Sequence, residues 1–105
     1  MNPKAAEVWN FAKDKLNEAK LLIDSDQDEQ AKTEIAKAVF IGAGAIHYIY
    51  GKSEPDEIAH TTAQAFIQQM AQADELGADE ILSEAVKILN FIASLAPDED
   101  PLPKF

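Results

Sequence analysis

The stretch Glu57-Ile58-Ala59-His60 carries the spacing with the most chemical promise in this chain. A Glu and a His three positions apart on a helix place carboxylate and imidazole on one face, as carboxylate-bridged di-metal bundles require. A complete site of that kind also needs a second Glu-x-x-His and two further carboxylates. The other histidine, His47, has Gly44 three positions before it, so only a second copy of the chain could supply the missing half. Glu57 and His60 therefore read as first-turn residues on a helix surface, and the sequence predicts no specifically bound metal and no other cofactor.

The remaining reactive residue types fare no better. His47 sits among Tyr48, Ile49 and Tyr50, where an imidazole is a buried ligand, a proton carrier or, more commonly, a hydrogen-bonded group at the edge of a core. Ser25, Ser53, Ser83 and Ser94 have no His and acid in an arrangement that would activate a hydroxyl, and Ser25 and Ser53 fall at helix-capping positions. Gly42-Ala43-Gly44 lacks the lysine, the preceding strand and the spacing of a phosphate loop. There is no cysteine, which removes disulfides and thiolate chemistry. On these grounds the chain is expected to be non-enzymatic.

Charge is the distinctive property. Nineteen acids against nine basic residues leave a net charge of −10. Every basic residue is a lysine, so the guanidinium suited to bidentate phosphate recognition is missing, and direct binding to nucleic acid is not expected. The imbalance lies in the second half: residues 1–52 hold eight acids and seven lysines, and residues 53–105 hold eleven acids and two lysines. Asp74, Glu75, Asp79, Glu80 and Glu84 accumulate where no basic residue lies within ten positions before them.

These side chains must be placed by helices. Asn2-Pro3 opens one, with Asn as the cap and Pro in the first turn. Val8, Phe11, Ala12, Leu16, Ala19, Leu22 and Ile23 form its inner face, with Trp9 on the flank and an end near Asp24. After the polar Ser25-Asp26-Gln27-Asp28-Glu29, a second helix runs from about Asp28 to Tyr50, and its last thirteen residues carry no formal charge. So apolar a helix is expected at the centre of the fold, or half-covered by a second copy. Gly42 and Gly44 together cost it about 2 kcal/mol relative to alanine. That cost implies close packing on the small face Ala38, Gly42 and Ala45, or a kink, or an end near Ile41 with residues 46–50 extended.

Gly51 falls at a C-cap, Ser53 at the next N-cap, and the third helix carries Ile58, Ala59, Thr62, Ala63, Phe66, Ile67 and Met70 inward until Gly77 interrupts it. The fourth, from about Asp79 to Ala96, has the cleanest apolar stripe. Three prolines from Pro97 onward exclude helix in residues 97–105. Short connections favour antiparallel neighbours. The expectation is one all-α domain over residues 1–96, an up-and-down four-helix arrangement with helix two central, followed by an extended acidic tail. Trp9, Phe11, Phe40, Ile46, Phe66, Leu82, Leu89 and Ile92 are expected in or beside the core.

No run reaches the roughly 20 apolar residues that cross a bilayer, and the N-terminal pattern is amphipathic, so neither membrane insertion nor export is expected and a cytoplasmic location is. In size, helicity and charge the chain resembles small bacterial immunity proteins and phage-encoded inhibitors, with no motif in common. The functional expectation is a protein-interaction module that binds a basic protein partner through Asp74, Glu75, Asp79, Glu80 and Glu84. Homodimerisation is expected through the small face and its end, Ala38, Gly42, Ala45, Ile49, Tyr48 and Tyr50. The alternatives are a carboxylate and histidine di-metal protein assembled by dimerisation, and a purely structural homo-oligomer.

Overall fold

The computed structural model describes residues 2–73 and 75–105 and contains four helices: α1 Pro3–Asp24, α2 Asp28–Tyr50, α3 Glu54–Gln72 and α4 Ala78–Ser94. The chain is all-helical and runs up and down, with α2 packed against each of the other three. Among the described residues α1 and α3 do not touch. They flank α2 in one layer, and α4 closes the back of that layer by contacting all three.

Local chemistry sets the ends. Asn2 Oδ1 accepts from the amides of Lys4 and Ala5, each at 3.0 Å, with Pro3 in the first turn. The same side chain donates from Nδ2 to Tyr48 O at 2.7 Å, and the Asn2 amide donates to Asp100 at 2.9 Å. One cap thus joins the start of α1, the end of α2 and the C-terminal segment. Ser53 caps α3 by accepting from the Asp56 amide. In the α1–α2 turn, Ser25 is the C-cap of α1. Ser25 Oγ donates back to Leu21 O, Gln27 occupies the N-cap of α2 without a side-chain bond, and Asp26 takes the positive φ of 58° that acidic and amide residues tolerate. Gly51 closes α2 at φ 65° and ψ −153°, a region essentially confined to glycine, rather than in the left-handed helical cap.

Helix α2 is continuous through both glycines, and they serve different ends. A Cβ on Gly42 would collide with Leu89 Cδ2 and lie 3.2 Å from Trp9 Cζ3, so Gly42 is where α1 and α4 close on α2. A Cβ on Gly44 would meet nothing within 4 Å. Ala38, Gly42 and Ala45 are buried within the single chain, which corrects their assignment to a face for a second copy.

Trp9, expected in or beside the core from the flank of the inner face of α1, is fully buried at its centre with Ile35, Val39, Ile46, Ile81, Leu89 and Ile92. Phe11, expected on the inner face of α1, and Phe40, expected in or beside the core, are instead 50% and 51% exposed, which corrects both. The reason is angular: α1 and α3 lie at the sides of α2 and α4 behind it, so the front of α2 has no helix over it.

Residues 97–105, non-helical as their prolines require, are nonetheless packed against the helices. Leu102 is buried in the common core, Trp9 Nε1–H donates to Pro103 O at 2.7 Å, and the Phe105 ring lies 5.1 Å from that of Trp9. The Phe105 amide is held by Asn90 Oδ1 at 2.8 Å.

Across α1 and α2, Lys15 Nζ lies 3.1 Å from Glu34 Oε2, and Lys37 donates to Glu34 Oε1 at 3.3 Å. Partial burial pushes the Glu34 carboxyl up, but the two ammonium groups together outweigh it and hold the group below its ordinary 4.5. Hydrogen bonding to Glu34 raises Lys15 above 10.5. A lowered carboxyl contributes stability above its unfolded-state value and loses it as pH falls through the folded value. Glu34→Gln is therefore expected to lower the stability at neutral pH by under about 1 kcal/mol, seen as a lower thermal midpoint. The gap from the parent should close on acidification below 4.5, as read by circular-dichroism melts across a pH series. A gap that persists in acid would mean the contribution is packing alone.

Candidate functional site

The antiparallel course of the chain brings the α1–α2 and α3–α4 turns to the same end of the molecule. A depression lined by Glu29, Lys32 and Thr33 of α2 and by Met70, Ala71 and Ala73 beyond it joins the two turns. Both are acidic. Asp24, Asp26, Asp28 and Glu29 are exposed in one, and Glu75, Asp79 and Glu80 in the other, so carboxylates far apart in sequence share one end of the molecule as an acidic pole, with Lys32 and Lys37 in the depression between the two turns. Asp74, the first of the expected partner-binding residues, lies outside the described residues. Glu84 is exposed one turn further along α4 and pairs with Lys87 at 3.2 Å.

Some of this acidity has a local reason. Asp28 and Glu29, Asp79 and Glu80, and at the opposite end Glu54, Asp56 and Glu57 occupy first turns of helices, where the partial positive charge of unpaired amides favours carboxylates. Helix termini do not account for Asp24, Glu75 or Glu84. Beside the pole, a cleft between α3 and α4 is lined by Phe66, Met70, Leu76, Ile81, Ile88 and Glu84. Leu76 is exposed at its mouth, between Glu75 and Asp79 in sequence. An apolar slot with carboxylates on its rim can seat an apolar side chain while holding cations around it.

No protein-family model, curated protein or solved structure matches this chain. The site has to be read from its own geometry.

Sequence reasoning found the α3–α4 acids and missed their union with the α1–α2 turn. Pairing of those turns follows from strict up-and-down topology, so its signal lies in the short loop lengths.

The two histidines converge on Asp56, a residue not singled out by spacing. His60 Nδ1 lies 3.0 Å from Asp56 Oδ1, and His47 Nδ1 lies 3.4 Å from Oδ2. His60 Nδ1 is also 2.9 Å from the Asp56 carbonyl oxygen. Glu57 is exposed in the first turn of α3, in line with its reading as a surface residue, and His60 pairs with Asp56 in an i,i+4 relation. Phe40 meets the His60 ring edge-on at 6.2 Å. The hydroxyls of Ser25, Ser53 and Ser94 donate to backbone carbonyls, and no described hydrogen bond links a serine to either imidazole. Among the described residues, no group of three or more His, Asp or Glu side chains, this convergence included, is arranged to hold a metal ion. Nor, among them, is any helix long and apolar enough to cross a membrane.

Proposed function

We propose that this protein is a non-enzymatic interaction module whose acidic pole binds a basic segment of a protein partner, in the manner of an inhibitor or immunity factor. The observation that carries the reading is the apolar cleft of Phe66, Met70, Leu76 and Ile88 set beside Glu75, Asp79, Glu80 and Glu84. The two features fit complementary parts of one ligand. The cleft takes an apolar anchor, whose burial governs dissociation, and the carboxylates attract Lys and Arg, which governs association. Self-repulsion in a chain of net charge −10 opposes compactness, and a partner that neutralises one pole relieves it.

Charge reversal at Asp74, Glu75, Asp79 and Glu80 tests this reading against a partner captured from the native host. Association should slow by about tenfold or more at low ionic strength, and the deficit should shrink as salt screens the pole over a Debye length of about 8 Å. Met70→Ser with Leu76→Ser should instead speed dissociation. An unaltered association rate in the charge-reversed protein would remove the acidic pole from the interface.

A further inference from the structure

We infer that the uncovered front of α2 is the docking face for a second copy of this chain, paired antiparallel about a twofold axis at Gly44. This face is separate from the acidic pole and does not depend on the reading given for it. Helix α2 presents Lys37, Phe40, Gly44 and Tyr48 at steps of three and four residues, with Ile41 half-buried beside them and Phe11 of α1 across a groove from Ile41. Phe40 and Tyr48 are 51% and 46% exposed, which is unusual for aromatic residues on the most enclosed helix of a fold.

Three observations select a second copy as the occupant. The first is spacing: Phe40 and Tyr48 stand four residues before and four after Gly44. In an isologous interface residue i meets j and j meets i, so an antiparallel crossing at Gly44 sets each Phe40 against the other chain's Tyr48.

The second is Gly44 itself. Gly42 is required by Trp9 and Leu89, but nothing in the chain approaches Gly44, so its helix-propensity cost has no return within one copy. Two backbones crossing there would use the missing Cβ on both sides.

The third is charge. The face is flanked by pairs that neutralise locally, Lys4 with Glu7 at 3.9 Å and Lys15 with Glu34 at 3.1 Å. Lysines also sit over its aromatic rings, Lys4 at 5.7 Å from the Tyr48 centroid and Lys15 at 5.4 Å from that of Phe11. The acidic pole lies at the start of α2, sixteen residues from Gly44, or roughly 24 Å along the helix. Antiparallel pairing sends the two poles in opposite directions, several Debye lengths apart, and of the acids at the nearer end Asp56 is held between both histidines. An antiparallel crossing at Gly44 overlaps the two helices from residue 38 to residue 50, roughly 18 Å of their length, so the contact lies at the small end of the range for specific interfaces.

Sedimentation equilibrium on the full chain tests the inference, with Gly44→Gln and Phe40→Ser as variants. The parent should be dimeric at tens of micromolar, and each variant should raise the dimer Kd by about tenfold or more. Both positions are open, so the helical circular-dichroism spectrum should be retained in each variant. Charge reversal at Glu75, Asp79 and Glu80 should leave the dimer intact, which separates this face from the acidic pole. A parent that stays monomeric at hundreds of micromolar overturns the inference, and so does a dimer indifferent to both substitutions.

Discussion

Trp9→Ala is expected to destabilise the protein by about 3–5 kcal/mol, a large share of the 5–15 kcal/mol that holds a typical domain together. The ring is fully buried where α1, α2 and the C-terminal segment meet, against Gly42 on one side and Phe105 on another. Its loss leaves a cavity bounded by backbone on the Gly42 side, where no side chain can move in. It also frees Pro103 O from its 2.7 Å bond and removes the partner that seats Phe105. Urea unfolding followed by circular dichroism measures the change. A companion substitution, Phe105→Ala, keeps the fluorophore and should shift its emission to the red by admitting water to the indole. Trp9 is the only tryptophan, so the signal needs no deconvolution. A loss below about 1 kcal/mol in Trp9→Ala would mean that the C-terminal segment does not close over the ring in solution.

Gly42→Val should cost about 1–3 kcal/mol or more through overpacking, whereas Gly44→Ala, two residues away on the same helix, should stabilise the monomer by up to about 1 kcal/mol. The contrast rests on space alone. At Gly42 a Cβ strikes Leu89, which is fully buried and cannot give ground without moving its own neighbours. At Gly44 a Cβ meets open space, and the gain is the helix propensity of alanine over glycine. Melting midpoints at low protein concentration, where self-association makes no contribution, decide the pair. Equal effects of either sign would place the two glycines in equivalent environments and contradict the crossing of α1 and α4 at Gly42.

Helix boundaries were legible because their signals are local. Asn2-Pro3 and Ser53-Glu54-Pro55 each satisfy or remove orphan amides within a single turn, and the structure starts α1 and α3 there. Where the chemistry is bidirectional the direction was not legible: a capping Ser25 can serve the following helix or the preceding one, and it takes the second course as the C-cap of α1. The end of α4 at Ser94 rather than Ala96 is a matter of one frayed turn. Phe11 and Phe40 show a deeper limit. Periodicity says that a residue shares a face with its neighbours, but a helix with partners on three sides has buried positions over most of its circumference, and the open strip is set by where those partners stand.

The sequence by itself determined the four helices, the central place of α2, the non-helical C-terminal segment and the excess of acid in the second half, because propensity, capping and hydrophobic period act over one or two turns. Only the tertiary structure decided that Trp9 sits beneath Pro103 and Phe105, that Gly42 serves packing while Gly44 faces open space, that both histidines meet at Asp56, and that two acidic turns form one pole. Each of these joins residues dozens of positions apart, and the free energy that selects among such meetings belongs to the shape of the whole core, which no local window of residues contains.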